Sequence, residues 1–208
     1  MSAVIESLAP GFADPVIEAQ ASFRAVLQAM SHPGRAVELP SLQEAAPRLQ
    51  PATAALLLTL LDAETSVRLH GALHGEAVLA WLRFHTGTRA AAAGEGAPFS
   101  AARAGDLNAA LWASLPLGSD EVPHDGGTLV VELPASTDTF RAAPLHRLAL
   151  RGPGVPGERL IDVAGVPAAF WAWRVALQPQ FPRGFDLLLV RAREVIALPR
   201  STYLSVVR

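Results

Sequence analysis

The alternation of apolar and polar positions first predicts a helix that begins near residue 15. Apolar side chains recur at the spacing of one helix face, at Phe23, Val26, Leu27 and Met30. Asp14 is a residue type that caps helix N-termini, and Pro15 fits the first helical turn. The segment Ser-His-Pro-Gly at 31–34 ends this helix, because proline cannot continue it and glycine supplies the turn.

Four more elements are predicted before residue 90. The run 54–61 is apolar on all sides, which predicts a helix over 51–61 that is buried on most faces. Another helix is predicted over 75–84. Short alternating runs predict strands over 35–39 and 65–70.

The remainder of the chain carries shorter elements. Turn residues predict a loop over 86–105 with one short strand near Phe99, and a second loop over 116–127. Between these loops, Asp106 is predicted to cap a short helix that runs through Trp112. Apolar and alternating runs predict a helix over 166–177 and strands over 128–133, 145–151, 186–190, 195–198 and 203–207.

Helices and strands therefore intermix from one end of the chain to the other, without an internal repeat. This order predicts a single α/β domain over residues 1–208, built as three layers in which helices cover a mixed sheet. A chain of 208 residues can bury a core without disulfides or structural metals. Residues 1–13 show no periodic pattern, and we expect a flexible or extended N-terminal segment there.

Composition removes several kinds of chemistry from this picture. All 17 basic residues are arginine, and the chain contains neither lysine nor cysteine. Without lysine, the chain cannot form a Schiff base with pyridoxal phosphate and cannot carry a phosphate-loop lysine. Without cysteine, it has no disulfide, no thiolate nucleophile and no cysteine-ligated iron–sulfur cluster. We therefore expect no cofactor of either kind in this chain, although GC-rich coding bias explains both absences.

Charge and hydropathy bear on partners and location. The net charge of −2 offers no long-range attraction to nucleic acid or to an anionic membrane. The sequence lacks a long apolar span and a signal peptide, so we expect a cytoplasmic protein. Charged residues make up only 17% of the chain. Two explanations remain open: other subunits cover part of the surface, or abundant alanine raises the apolar count.

The sequence contains no recognised catalytic or metal-binding motif. No HExxH or GxSxG pattern occurs, and the six histidines show no metal spacing. His70 and His74 are four residues apart, but Gly71 between them favours a turn. We expect no metal site, and the sequence assigns no catalytic residue.

Candidates for binding an anion lie in turns. In the segment Arg151-Gly152-Pro153-Gly154, backbone N–H groups beside glycine can approach an anion, and the arginine can pair with it. Pro153 removes one of those N–H groups, and a purely structural turn remains the alternative. Arg200 precedes two hydroxyl residues. His85 ends a predicted helix, where the helix dipole also favours a cation. The candidate anion-binding residues are therefore Arg151, Gly152, Gly154, Arg200 and His85.

Several segments, in order, resemble the H-subunit family of the bacterial carbon–phosphorus lyase system. They are AQASFR at 19–24, AMSHPG at 29–34, LLTLLD at 57–62, LRFHT at 82–86, RGPG at 151–154, FPRGFDL at 181–187 and ALPRST at 197–202. Each segment is weak by itself, but their order spans nearly the whole chain. The loops at 86–105 and 116–127 depart from the family, and nothing is transferred onto them.

The resemblance implies a subunit that works in phosphonate breakdown. Members of this family join three partner subunits in a core complex. With associated proteins, that complex attaches a phosphonate such as methylphosphonate to the ribose of ATP, and adenine is lost. The product is ribose 1-methylphosphonate 5-triphosphate, and a partner with an iron–sulfur cluster later cleaves its carbon–phosphorus bond.

The family resemblance also has implications for the fold and the oligomeric state. It implies a homodimer when the subunit is isolated, and a fold similar to pyridoxal-phosphate-dependent transferases without the cofactor. It transfers no catalytic residue onto this chain. Two alternatives remain: a stand-alone enzyme or binding protein for a small anionic phosphorylated ligand, and a pure interaction module without a site.

Overall fold

The computed structural model describes residues 9–40, 42 and 48–207. The helices are α1 (Pro15–Ser31), α2 (Pro51–Leu60), α3 (Glu76–Thr86), α4 (Ala109–Ala113), α5 (Thr137–Ala142) and α6 (Ala168–Leu177). The strands are β1 (Ala36–Glu38), β2 (Ser66–Leu69), β3 (Arg89–Ala90), β4 (Phe99–Arg103), β5 (Thr128–Glu132), β6 (Leu145–Gly152), β7 (Val155–Ala164), β8 (Asp186–Arg191), β9 (Glu194–Leu198) and β10 (Tyr203–Val207).

Seven strands form one mixed sheet in the order β1-β9-β8-β5-β4-β2-β3. Strands β8, β5, β4, β2 and β3 are parallel, whereas β9 runs antiparallel to both β8 and β1. The central strand β5 reads Thr-Leu-Val-Val-Glu and is buried at its last four positions. Such continuous apolar burial is typical of a parallel strand that is covered on both faces.

Two hydrophobic cores lie on opposite faces of this sheet. One core joins the sheet to α1, α2 and α3. The other joins the sheet to α4, α6 and a separate antiparallel sheet in the order β10-β6-β7. The predicted α/β class and mixed sheet are confirmed. One of the covering layers nevertheless consists partly of a second sheet, where only helices were predicted.

The two clearest helix predictions are confirmed by the capping of α1 and the burial of α2. Asp14 caps α1, because its carboxylate accepts a hydrogen bond of 3.1 Å from the backbone N–H of Ile17. In α2, every residue from Ala52 to Leu57 is buried. A helix of this kind can be recognised from sequence, because its apolar residues surround the axis.

The prediction that Asp106 caps a helix is wrong. Asn108 caps α4, and its side-chain oxygen accepts from the N–H of Leu111 at 3.1 Å. The Asp106 carboxylate instead accepts from the N–H of Ala72 at 2.8 Å. Aspartate and asparagine are both good helix N-caps, so residue type alone does not identify the cap. The tertiary contact of Asp106 with Ala72 is what distinguishes the two residues.

The N-terminal residues 9–12 carry no helix or strand and lie against α3. Ala9 and Phe12 pack on the core formed with α1, α2 and α3. Residues 1–8 of the predicted N-terminal segment lie outside the described residues. Across the ranges described, no helix combines the length and apolarity needed to cross a membrane.

A bidentate ion pair closes the turn between β3 and β4. The Arg89 guanidinium donates to both Glu95 carboxylate oxygens at 2.7 and 2.9 Å, and the Ala92 N–H donates to one of them at 2.7 Å. The hydrogen bonds from Arg89 lower the pKa of the Glu95 carboxyl from an ordinary 4.5 to about 2. A carboxyl whose pKa is lower in the folded protein stabilises the fold at pH values above its pKa in the unfolded chain. That contribution is lost as the pH falls through its pKa in the folded protein.

We expect the Glu95 titration to report this pair directly. In the wild-type protein, the Glu95 carboxyl carbon should titrate near pH 2 by NMR, since the ionised form holds the turn. In Arg89→Gln, the midpoint should move up towards 4.5. The stabilising contribution is then present above pH 4.5 and lost between 4.5 and 2 in the wild type only. The same midpoint in both proteins would contradict the assignment.

Candidate functional site

The parallel strands present their carboxyl ends at one edge of the sheet. A cleft of about 650 Å³ opens at the ends of β4 and β5. Ligands of open α/β sheets bind outside this edge, because the chain there turns away and leaves a crevice. Its lining is mostly apolar or small, with polar contributions from Gln50, Arg103, Glu132, Ser136 and Thr139.

A buried carboxylate, Glu132, lies in the wall of this cleft. Glu132 and Arg103 are register partners at the last rung of β5 and β4. The Glu132 side chain is only 1% exposed. It accepts from the Gln50 N–H at 2.7 Å and from Arg103 Nε at 3.4 Å. A buried carboxylate needs such donors, and in return it fixes the guanidinium of Arg103 at the cleft.

A second hollow of about 580 Å³ continues along the same edge. Ala135 lines both the cleft and this hollow. Arg141 of α5 lines the hollow together with Arg191 at the end of β8 and Arg193 in the β8–β9 turn. The Arg191 guanidinium lies 4.7 Å from the ring centre of Phe140, a cation–π contact that holds it in place. We call the cleft and the hollow together the edge trough.

The predicted segment 151–154 forms the turn between β6 and β7. Arg151 is exposed, and its Nε donates to Glu158 at 2.9 Å. Gly152 and Gly154 both have positive φ, at 126° and 76°. A Cβ at Gly154 would collide with the Ser31 carbonyl oxygen. This turn therefore packs tightly against the end of α1.

Arg200 lies at the opposite, amino-terminal edge of the sheet. Its guanidinium forms a pair of 2.7 Å with Asp186, the first residue of β8. It also donates to the carbonyl oxygens of Pro123 and Gly126. Most of its donors are thus used to join β8 to the loop before β5.

His85, the remaining candidate, lies near residue 9. Its Nε2 is 3.2 Å from the Ala9 carbonyl oxygen, which also accepts from the indole N–H of Trp81 at 2.7 Å. The His85 ring packs edge-on against Trp81 and Phe84. In this arrangement His85 helps to hold the chain around Ala9 on α3.

The structure brings two of the predicted turns together. A Cβ at Gly152 would lie 3.0 Å from the Ser201 carbonyl oxygen, so the 151–154 turn adjoins the segment after Arg200. Neither turn contributes to the lining of the edge trough. Sequence reasoning missed the trough, although one signal for it existed: a glutamate directly follows the buried run Leu-Val-Val of β5.

A second guanidinium is buried beside Arg200. Arg174 of α6 is 2% exposed, donates to the Pro199 carbonyl oxygen at 3.1 Å and lies over the Phe185 ring. Burial lowers the pKa of Arg174 to about 10, while the negative charge of Asp186 opposes that shift. One carboxylate therefore balances two arginines at this edge of the sheet.

The histidines do not assemble into a metal centre in the described part of the chain. No group of three or more histidine, aspartate or glutamate side chains lies together there. His74 Nδ1 is 3.3 Å from the Leu69 carbonyl oxygen. Burial lowers the pKa of His70, and the charges of Arg68 and His74 act in the same direction, which favours a neutral ring.

We predict that Gly154→Ala destabilises the protein more than Gly157→Ala. Both glycines have positive φ, but a Cβ at Gly157 would meet no atom within 4 Å. Gly157→Ala should therefore cost only the backbone strain of about 1 kcal/mol. The added collision at Gly154 should raise the cost to about 2–3 kcal/mol. Urea unfolding of both variants measures the difference, and equal costs would show that the turn does not press against α1.

These features define a class of protein: an α/β protein with a ligand-sized trough at the carboxyl edge of its parallel strands. The sequence profile described as "Bacterial phosphonate metabolism protein (PhnH)" matches residues 10–205. The chain therefore belongs to the PhnH family. This confirms the family that the seven sequence segments indicated.

Two relatives match over most of their length. One, from Rhizobium meliloti (strain 1021), is named "Alpha-D-ribose 1-methylphosphonate 5-triphosphate synthase subunit PhnH". It is 34% identical over 207 residues, which cover 99% of each chain. The other, from Stutzerimonas stutzeri, is named "Putative C-P lyase subunit protein HtxG". It is 35% identical over 186 residues, covering 89% of this chain and 85% of the relative.

Proposed function

We propose that this protein is a subunit of a bacterial carbon–phosphorus lyase complex, in which it supports synthesis of ribose 1-methylphosphonate 5-triphosphate. The observation that carries this proposal is the end-to-end match to a relative named as a subunit of that synthase. The match has 34% identity and covers 99% of both chains. Similarity over this length supports the same fold in both proteins.

The proposal extends to fold relatives, oligomeric state and location. The protein is cytoplasmic, forms a homodimer when isolated and has a fold similar to the pyridoxal-phosphate-dependent transferases. The seven-stranded mixed sheet covered on both faces supports the last point. The residues present do not fit that cofactor, because the chain contains no lysine to form a Schiff base.

Exposed apolar side chains support a role within an assembly. On α1, Val16, Phe23 and Leu27 are 78, 47 and 52% exposed. On the antiparallel sheet, Leu145, Leu160 and Tyr203 are more than half exposed. Apolar side chains of this size are commonly covered when a partner binds.

Co-expression with the three other core subunits tests the proposal. A tag on one partner subunit should retain this chain through affinity capture and size exclusion. A matched chain with Phe23→Asp and Leu27→Asp keeps its buried α1 face and serves to locate the contact. If the untagged wild-type chain elutes alone at its own size, while the partners assemble without it, the subunit proposal is wrong.

A further inference from the structure

The edge trough concentrates arginine on one side of a protein whose net charge is −2. Four arginines line it: Arg103, Arg141, Arg191 and Arg193. Three glutamates accompany them: Glu38, Glu132 and Glu194. Among the residues the structure describes, Arg141 has no acidic partner within 4 Å. The trough therefore carries an excess of positive charge and an arginine whose donors face solvent.

The ion pairs in the trough are also loose. Arg103–Glu132, Arg193–Glu38 and Arg191–Glu194 are separated by 3.4, 3.7 and 3.8 Å. The pairs formed by arginines 89, 147, 151 and 200 are shorter, at 2.7–2.8 Å. Arginine binds carboxylate and phosphate through two parallel N–H donors, and a loose pair leaves those donors available. An incoming anion can use the donors of Arg191 and Arg193 without first breaking a short ion pair, whereas Arg103 already donates to the Arg48 carbonyl oxygen at 2.8 Å.

The two parts of the trough differ in polarity. The hollow is lined by Arg141, Arg191 and Arg193 together with Glu38 and Glu194, so it keeps an excess of positive charge for phosphate groups. The neighbouring cleft is walled by apolar or small residues: Ala104, Gly105, Leu133, Pro134, Ala143 and Pro144. Such walls suit the flat or weakly polar part of a ligand, with Arg103 at the boundary. Their volumes, about 650 and 580 Å³, are each within the range of small-molecule sites.

We propose that the edge trough binds the polyphosphate chain of a nucleoside or ribose 5′-polyphosphate, with its sugar or base in the apolar cleft. Arg141, Arg191 and Arg193 hold the phosphates. Glu132 is a positioning residue that fixes Arg103 through the pair at the last rung of β4 and β5. The choice of a ribose ligand rests on the proposed function, whereas the affinity for polyphosphate rests on the arginines of the trough.

Calorimetric titration of the full-length chain with ATP tests this inference. We expect ATP to bind and inorganic tripolyphosphate to compete with it. Adenosine should bind with lower affinity than ATP. Arg141→Gln and Arg191→Gln should each weaken ATP binding about tenfold, since each removes charge-assisted hydrogen bonds to phosphate. Arg151→Gln is the matched control, because Arg151 is also exposed but pairs outside the trough. The affinity of the Arg151→Gln variant for ATP should stay within about twofold of wild type.

Glu132→Gln tests the positioning role separately. It should weaken ATP binding but leave the affinity for tripolyphosphate nearly unchanged, because the phosphates rest on the other arginines. Equal loss for both ligands would show that Glu132 only supports the fold. An unfolded Glu132→Gln leaves the arginine variants to decide.

The outcomes separate this inference from the proposed function. No ATP binding up to about 1 mM, by the isolated chain and by the assembled complex, overturns the inference. Equal weakening by Arg151→Gln and Arg141→Gln also overturns it, since attraction would then be general. Retained assembly with partners in either case leaves the subunit role standing. If the wild-type chain does not assemble with the partners, the subunit role is refuted, whether or not the chain binds ATP.

Discussion

Replacing Asp186 with alanine is expected to lower the free energy of unfolding by about 3–5 kcal/mol, because it removes the carboxylate between two arginines. Asp186 accepts from the Arg200 backbone N–H and from its guanidinium. Its charge also faces the buried Arg174. Without it, the guanidinium of Arg174 remains buried in a site where it has no carboxylate to balance it.

Two other variants separate this explanation from a general effect of substitution. Asp162→Ala removes an equally short pair with Arg147 on the exposed face of β6 and β7, and it should shift the melting temperature only slightly. Arg174→Met keeps much of the buried volume without the charge, so its stability should match or exceed that of wild type. Denaturant titration compares all three variants. A loss of less than about 1 kcal/mol in Asp186→Ala would contradict the ionic account.

Trp81→Ala is the second substitution with a large expected effect. Trp81 is fully buried, and its indole N–H donates to the Ala9 carbonyl oxygen at 2.7 Å. Removing the ring should cost about 3–5 kcal/mol through the cavity left behind. Since Ala9 loses its strongest contact with α3, hydrogen exchange in residues 9–12 should also become faster.

The controls divide the role of the ring from that of its hydrogen bond. Trp81→Phe keeps most of the volume and should cost about 1–2 kcal/mol, largely the lost bond to Ala9. His85→Ala should cost about 1 kcal/mol, because His85 is only a second contact for the same carbonyl. If His85→Ala destabilises as much as Trp81→Ala, the imidazole has a role beyond holding Ala9.

The sequence pattern predicted those elements whose apolar residues have a clear period. The buried helix α2 and the strands β5 and β8 are examples, since burial on all sides leaves an apolar run. The prediction missed β7, which extends over Val155–Ala164 and is exposed or half-buried at most positions. An edge strand of this kind carries charge on its open face, so its sequence resembles a loop. The short helix α5 was missed too, since it has no buried residue.

The predicted anion residues and the edge trough illustrate a different limit. Glycine next to arginine at 151–154 indicates a turn with backbone donors, but the structure shows that this turn packs against α1. The trough residues Gln50, Arg103 and Arg191 are far apart in sequence and carry no shared motif. Only the parallel order of β4, β5 and β8 brings them to one edge. A single sequence does not display that order, because strand neighbours depend on contacts between distant segments.

Growth on a phosphonate tests the central claim most directly. The gene for this chain would be deleted in the bacterium that encodes it, and growth measured with methylphosphonate or inorganic phosphate as the sole phosphorus source. If the protein is a required subunit of the complex, growth on methylphosphonate is lost, growth on phosphate is normal, and a plasmid copy of the gene restores the former. Undiminished growth of the deletion strain on methylphosphonate would contradict the claim.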